Sequence, residues 1–399
     1  MSWDTVRFGD LYVVESRNGL TKPSKVRGSG YKMINMGELF ANDRIYDIPM
    51  ELVPLKESEK INAKVECGDL LFARQSLVLE GAGKCSIVME VSLLTVFESH
   101  LIRVRLDKTL ALPMFYYYYF KSPLSPMKSI VSQCAQAGIR GSDLQELQVI
   151  LPPLEEQRRI VDVLSAYDNL IENNQKQIKL LEEAAQRLYK EWFVDLRFPG
   201  HETTPIVDGV PNGWTVSTVG GICDLKKETV PASKIDSETP YIGLEHMPRV
   251  DFCLSNWGIA EDVTSNKFRY NEDDIIFGKI RPYFHKVGFA LNSGVVSTDS
   301  FVMVAKEGLW GLLLMTVFDK AFVDYTYQTC KEGAKMPRAD WKQMDKYPVL
   351  IPEENVRKQF ENYIWTVTRR IKALAFQNHA LTEARDRLLP KLMRGEIEV

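Results

Sequence analysis

Basic side chains that could bind DNA occur at corresponding places in the two halves of the sequence. One group follows an apolar, strand-like segment, and the other lies in a glycine-containing loop that precedes a long helix pattern. Lysine and arginine contact phosphates, and arginine can also bind guanine through two hydrogen bonds. The pattern therefore predicts one DNA-facing surface shared by the two halves. The candidates are Arg74, Lys279 and Arg281 after the strand, and Arg140, Lys335 and Arg338 in the loop.

A second basic segment lies near the start of the chain. Residues 16–37 contain five basic residues and no acidic one, with glycines at 19, 28 and 30. This composition indicates a mobile loop ahead of the first well-formed strand, and positive, flexible segments of this kind suit phosphate contacts. The alternative is a solvated surface loop without a ligand. The candidate phosphate-binding residues here are Lys22, Lys25, Arg27 and Lys32.

The patterns of common enzyme sites are missing from this sequence. Residues 80–86 resemble a phosphate-binding loop only in part, since Val78 replaces its first glycine and Cys85 replaces the metal-binding hydroxyl. The segment is predicted to be a turn between strands. The five histidines show no HExxH spacing, and Pro152-Pro153 lacks the neighbours of an amino-methyltransferase motif. We therefore expect no catalytic residue, no metal ligand and no cofactor.

These candidate residues belong to a domain that occurs twice, with a period of about 200 residues. Each half contains matching strand-like segments, such as 68–74 and 273–279, followed by an apolar helix. That helix is aromatic in the first copy, at 114–120, and aliphatic in the second, at 309–318. The aromatic run could stack on bases, but its replacement by aliphatic residues favours core packing. The predicted fold class is α+β, with two mixed α/β domains, each followed by a long helix.

Each copy ends in a long helix with an unbroken seam of residues at alternating spacings of four and three. The seams cover residues 160–192 and 360–392, about 50 Å each at about 1.5 Å per residue. Seams of more than four heptads predict a coiled coil. Because the second domain starts where the first helix ends, an intrachain pair is expected to be antiparallel. This coiled coil is predicted to be a rigid spacer between the two domains.

One asparagine in each seam gives an independent prediction of the direction. An antiparallel register, with residue 160 opposite 392, places Asn174 opposite Asn378, whereas a parallel register places it opposite Leu374. Buried asparagines need a hydrogen-bonding partner and commonly fix the register of coiled coils. The alternative is that each asparagine faces solvent or another protein.

Length and charge limit the function classes. At about 150 residues per domain, 399 residues suggest two or three domains. A net charge of −3 argues against a broad basic surface, so DNA binding requires local patches and help from a partner.

Apolar runs are too short to span a membrane, and six scattered cysteines indicate free thiols in the cytoplasm. They are Cys67, Cys85, Cys134, Cys223, Cys253 and Cys330.

The helix motifs resemble those of the specificity subunit of type I restriction-modification systems. The resemblance rests on Leu151-Pro-Pro-Leu-Glu-Glu-Gln-Arg-Arg-Ile160, on residues 191–199, and on the closing residues 387–397, and it covers the whole chain in order. One departure is Glu353 in place of the second proline of the repeated motif. The resemblance gives recognition domains at 1–150 and 198–348, where 198–213 is a linker, and spacer helices at 151–197 and 349–399.

The resemblance also implies a role and partners. The chain would be a non-catalytic subunit that recognises a split site in double-stranded DNA, with one domain per half-site. It would join two modification subunits, which carry the adenine-N6 methyltransferase and its S-adenosylmethionine, and restriction subunits with ATP-driven translocase and nuclease activity. Two other classes stay open from the residues alone. One is a protein-binding scaffold whose coiled coil only dimerises, and the other is a nuclease with its own active site.

Overall fold

The structure, a computed structural model, describes residues 3–91, 93–133, 137–330 and 335–397. The chain divides into two compact units, one formed by 1–169 with 381–399 and the other by 170–380. Each unit therefore contains one globular part and a portion of both long helices. The predicted linker 198–213 contains a short hairpin, and Phe198 packs on Trp214 with ring centroids 4.6 Å apart.

In the first half, a five-stranded sheet has the order β2-β10-β6-β8-β4, in which only the β8–β4 pair is parallel. Its central strand β6 is a continuous apolar run, as expected of a strand covered on both faces. The strands are β1 Asp4–Arg7, β2 Tyr12–Asn18, β3 Tyr31–Ile34, β4 Arg44–Ile45, β5 Glu51–Val53, β6 Leu70–Ala73, β7 Gln75–Ser76, β8 Cys85–Val88, β9 Thr95–Phe97, β10 Leu101–Leu106, β11 Ser132–Gln133, β12 Ala137–Gly138 and β13 Gln148–Leu151. The helices are α1 Met36–Ala41, α2 Glu57–Asn62, α3 Pro113–Lys121, α4 Gly141–Gln145 and α5 Leu154–Tyr189.

The second half repeats this arrangement in the sheet order β17-β26-β23-β24-β20, again with only the last pair parallel. The strands are β14 Ile206–Val207, β15 Val210–Pro211, β16 Thr215–Thr218, β17 Cys223–Lys226, β18 Thr229–Val230, β19 Pro240–Ile242, β20 Cys253–Leu254, β21 Gly258–Ile259, β22 Lys267–Tyr270, β23 Ile275–Gly278, β24 Val287–Ala290, β25 Gly294–Val296, β26 Ser300–Ala305 and β27 Pro348–Ile351. The helices are α6 Val219–Ile222, α7 Trp310–Phe318, α8 Lys320–Gln328, α9 Trp341–Met344 and α10 Glu354–Met393.

The smaller sheets support the same correspondence. The first strand of each copy pairs antiparallel with the strand before the long helix, β1 with β13 and β16 with β27. In both copies a three-strand group contains one parallel and one antiparallel pair, β9-β3-β5 and β25-β19-β21. The predicted duplication of a mixed α/β domain is confirmed.

The helices α3 and α7 are both part of the core. Every residue of α3 from Phe115 to Phe120 is at most 8% exposed, and all of α7 is buried. A helix that is apolar around its whole circumference must be covered on all sides. The core prediction for residues 114–120 is therefore confirmed, and the aromatic rings are not available for base stacking.

The long helices pair in opposite directions within each unit. In the first unit, Ile160 and Leu164 from the start of α5 share a core with Leu389 and Leu392 from the end of α10. In the second unit, Trp192, in the π-helical turn after α5, packs on Phe360 near the start of α10, with centroids 5.8 Å apart. The antiparallel prediction is confirmed.

The two seam asparagines bind each other, as the antiparallel register requires. Asn174 Nδ2 donates to Asn378 Oδ1 at 2.9 Å and to Gln377 Oε1 at 3.0 Å. Asn378 Nδ2 donates to the Ile171 carbonyl at 3.4 Å. Because Asn174 is only 4% exposed, the alternative in which it faces solvent is wrong.

A second buried polar contact joins α5 to the globular part of the second unit. Glu182 on α5 accepts hydrogen bonds from the backbone N–H groups of Phe252 and Cys253, at 3.0 and 2.8 Å. Burial, with a smaller contribution from the nearby Asp251 charge, raises the pKa of Glu182 to about 8. The side chain is therefore mainly protonated at neutral pH.

We expect Asn174→Ala to reduce the free energy of unfolding by about 1–3 kcal/mol, because it removes the hydrogen bonds that this buried amide donates to Asn378 and Gln377. Asn173→Ala is the matched control, since Asn173 is the exposed neighbour on the same helix and should change stability by less than about 0.5 kcal/mol. Urea unfolding of the full chain measures both. Equal losses in the two variants would contradict a structural role for the pair.

The stability of the second unit should depend on the protonation of Glu182. Its folded-state pKa lies above the unfolded value of 4.5, so the folded chain holds an extra proton between these values. The contribution of this proton to the free energy of unfolding is fully present below about pH 4.5 and is lost as the pH rises through about 8. Glu182→Gln keeps the acceptor oxygen but does not titrate. Between about pH 4.5 and about pH 8, the melting temperature of this variant should therefore decrease by several degrees less than that of the wild type. Parallel melting curves would refute this assignment.

Candidate nucleic-acid interface

Arg74 and Lys279 occupy equivalent positions at the ends of the central strands β6 and β23. The backbone N–H of Arg74 donates to the His100 carbonyl, and that of Lys279 donates to the Asp299 carbonyl, both at 2.7 Å. Each side chain also donates to the residue one position earlier. Arg74 Nη1 donates to the Ser99 carbonyl at 3.3 Å, and Lys279 Nζ to the Thr298 carbonyl at 2.7 Å.

The two side chains differ in how much of their charge remains available. Lys279 Nζ lies 4.5 Å from the ring centroid of Phe301 and 5.2 Å from that of Phe268. Burial lowers the pKa of Lys279 from its usual value. Within the described part of the chain, the guanidinium of Arg74 has only its bond to Ser99, so its other N–H groups remain free for a ligand.

The loops before α4 and α9 are equivalent, but their basic residues are not at equivalent positions. Ile139 N–H donates to the Arg74 carbonyl, and Ala339 N–H donates to the Lys279 carbonyl, both at 2.9 Å. Arg140 therefore corresponds to Asp340. Arg140 is exposed before α4, whereas Asp340 caps α9 by accepting from the Lys342 N–H at 3.0 Å. The expectation that the two loops carry basic residues at equivalent positions is therefore wrong, although the loops themselves are equivalent.

The remaining basic residues of the second loop have different surroundings. Arg338 forms an ion pair with Asp299 and keeps 59% of its side chain exposed. Lys335 is exposed at the start of the described part of this loop, and Gly333 and Ala334 of the predicted loop lie outside the described residues.

Three of the four candidates in the segment 16–37 are already paired with acids. The N–O distances are 2.8 Å for Lys22–Glu59, 2.6 Å for Arg27–Glu51 and 2.6 Å for Lys32–Asp47. These contacts tie the segment to neighbouring elements. Strand β1 precedes the segment and β2 includes its first residues, so the prediction of a mobile loop ahead of the first strand is wrong. Lys25 is exposed and has no such partner among the described residues. A role in phosphate binding stays a prediction for this segment.

Sequence patterns did not indicate two further arginines. The guanidinium carbon of Arg249 lies 4.0 Å from the ring centroid of Phe284, in a loop without a basic cluster. Arg385 occupies a position in the second seam, between Leu381 and Leu388. Its Nη1 lies 2.6 Å from Asp168 Oδ1, while the Tyr118 hydroxyl donates to Asp168 Oδ2 at 2.7 Å. A charged residue at a seam position, in need of a partner, was the only available signal for this network.

The segment 80–86 connects strands, as predicted from its sequence. It passes from a short 3-10 turn, Leu79–Gly81, into β8. Lys84 Nζ donates to the Phe40 carbonyl at 2.9 Å and lies 3.3 Å from Asp43, so its charge is used within the fold. A phosphate-binding loop instead leads into a helix whose N–H groups face the ligand.

The described residues offer no other site chemistry that common metal or membrane patterns would indicate. Among them, no three His, Cys, Asp or Glu side chains come together as metal ligands. No described helix is both long enough and apolar enough to cross a bilayer. Five cysteines are free thiols, and Cys134 lies outside the described residues.

Comparison with known proteins adds four similarities. Residues 1–183 match the family model for the type I restriction modification DNA specificity domain. The type I restriction enzyme MjaIX specificity subunit of Methanocaldococcus jannaschii is 26% identical over 306 residues, which are 71% of this chain and 69% of the relative. The EcoKI specificity subunit of Escherichia coli is 32% identical over 167 residues, which are 40% of this chain and 36% of the relative. The crystal structure of the type I restriction-modification system S subunit from M. genitalium shares the fold, with a TM-score of 0.57, 15% identity and coverage of 98% and 96% of the two chains.

Proposed function

We propose that this chain, which is related to the specificity subunits of type I restriction-modification systems, recognises a bipartite site in double-stranded DNA without catalysing a reaction itself. One observation carries the proposal. The same mixed α/β domain occurs twice in one chain, and both copies place a basic residue, Arg74 or Lys279, at the end of the central strand. Each domain then recognises one half of the site.

The charge distribution supports local rather than broad DNA contacts. The net charge is −3, and several lysines and arginines are paired with acids inside the fold. The exposed cations that remain for phosphates include Lys25, Arg140 and Lys335. Because the net charge is negative, we expect phosphate contacts from these local groups to be supplemented by a DNA-binding partner.

The partners in this proposal are two methyltransferase subunits, with restriction subunits as further members of the complex. Several large apolar side chains on the long helices of the second unit are solvent-exposed, and such surfaces commonly mark protein interfaces. They are Leu170 at 48%, Leu180 at 65%, Tyr363 at 41% and Phe376 at 41%. The methyltransferase subunits bind S-adenosylmethionine and transfer the methyl group, while this chain positions the target adenines.

Genome-wide mapping of N6-methyladenine tests the function directly. In the host with the gene, methylation should occur at a motif made of two short sequences and a fixed gap. Deleting the gene should remove that motif, and re-expressing the chain should restore it. An unchanged methylation map after deletion would refute the proposal and would favour a protein-binding scaffold.

Exposed and paired arginines should have different effects on DNA binding by the assembled methyltransferase complex. Arg140→Ala should weaken binding about tenfold and reduce the salt dependence by about one phosphate contact. Arg27→Ala is the control, because its guanidinium is bound to Glu51 at 2.6 Å, and binding should change by less than about twofold. Fluorescence anisotropy at several salt concentrations measures both. A larger effect of Arg27→Ala would reverse the assignment of these two residues.

A further inference from the structure

In each globular part, a short loop follows the basic residue at the end of the central strand. We name residues 75–83 the first tip loop and residues 280–286 the second tip loop. Their equivalence follows from the identical backbone contacts of Arg74 and Lys279 described above. The first tip loop leads to β8 and the second to β24, the same neighbour in each sheet.

The first tip loop exposes three consecutive apolar side chains. Leu77 is 88% exposed, Val78 59% and Leu79 45%. The loop is nevertheless ordered, since Val78 N–H donates to Ser76 Oγ and Gly81 N–H to the Val78 carbonyl, both at 3.2 Å. A Cβ atom on Gly81 would lie 2.2 Å from Ser76 Oγ, so this close turn requires glycine. The fold thus holds an apolar tip in solvent, where it gains nothing from burial.

The second tip loop exposes an aromatic side chain. Tyr283 is 47% exposed, and its ring centroid lies 4.9 Å from that of Phe284 and 5.2 Å from that of Tyr327. The backbone has positive φ values at Arg281, 50°, and at His285, 52°. Residues other than glycine rarely adopt this backbone conformation, and such strained positions cluster at functional sites.

Cationic groups lie near both tip loops. The guanidinium carbons of Arg249, from a neighbouring loop, and of Arg281, from the second tip loop, lie 4.0 and 5.7 Å from the Phe284 centroid. Within the described chain, the buried Nε of Arg281 has no hydrogen-bond partner. At the base of the first tip loop are Arg74 and the exposed Arg140. An apolar tip with cations around it suits the base edges of a duplex, which lie between two rows of phosphates.

We propose that the two tip loops enter a groove of the DNA and contact the bases directly, through Leu77 and Val78 in one half-site and through Tyr283 in the other. This inference rests on the proposed function and assigns its base-contacting residues. Apolar side chains recognise the thymine methyl group or insert between base pairs, whereas they gain nothing from phosphates. Glu80 in the first tip loop adds an acceptor for the cytosine amino group.

The test uses the full chain with its methyltransferase subunits in a host that lacks the chromosomal gene. Leu77→Ala and Tyr283→Ala should each lower the methylation rate at wild-type sites about tenfold or more, and should relax the sequence requirement in one half of the motif. The two variants should affect different halves. Tyr283→Phe keeps the ring and should retain the wild-type motif if stacking or apolar contact is the interaction.

Two exposed apolar residues away from the tips serve as matched controls. Ile61 on α2 is 79% exposed and Val207 on β14 is 65% exposed. Ile61→Ala and Val207→Ala should leave the motif and the rate within about twofold of wild type. Melting curves of all variants test whether unfolding causes the effect. We expect melting temperatures close to that of the wild type, because the tip side chains are largely exposed.

Distinct results separate this inference from the proposed function. Absence of any split motif with the wild-type chain would refute both. A wild-type split motif that persists at the wild-type rate in Leu77→Ala and Tyr283→Ala would refute only the base contacts. If these variants lose methyltransferase binding in size-exclusion chromatography but keep the wild-type DNA specificity, the proposed base contacts are also refuted. The tip loops would then belong to a protein interface.

Discussion

The hydrogen bond between Asn174 and Asn378 fixes the pairing of the long helices. Leucine and isoleucine seams pack nearly as well after a shift of one heptad or a reversal of direction, because apolar contact has no direction. The buried amide of Asn174 finds the Asn378 side chain in this register, whereas a parallel register places the apolar side chain of Leu374 opposite it. The contact between Asn174 and Asn378 therefore favours this antiparallel register over the alternatives.

Other polar contacts extend this constraint from the helices to the globular parts. In the first unit, Asp168 binds Arg385 on the facing helix and Tyr118 from the buried helix α3. In the second unit, Glu182 accepts from the backbone at the start of β20. Buried charges and carboxyl groups are costly unless they are hydrogen-bonded, so these contacts restrict orientation more than they add stability. Each globular part is thereby attached to its helices in one way.

The duplicated domains keep the same sheet order but differ where they meet solvent. Arg140 in one loop corresponds to Asp340 in the other, and an aliphatic tip in the first copy corresponds to an aromatic tip in the second. Sheet order depends on buried residues, which tolerate apolar exchange, as α3 and α7 show. Loop residues have few packing constraints and can diverge. This combination is what the proposed recognition of two different half-sites would require.

The sequence by itself determined the duplication, the antiparallel helix pair with its asparagine contact, and the burial of the helices at 114–120 and 309–318. These features are periodic or consist of contiguous apolar residues, so they can be recognised without the fold. Only the tertiary structure decided which basic residues remain free. Lys22 pairs with Glu59 and Arg385 with Asp168, partners that are 37 and 217 residues apart in the chain. An ion pair between distant residues has no local sequence signal, because it depends on which side chains the folded backbone brings within hydrogen-bonding distance.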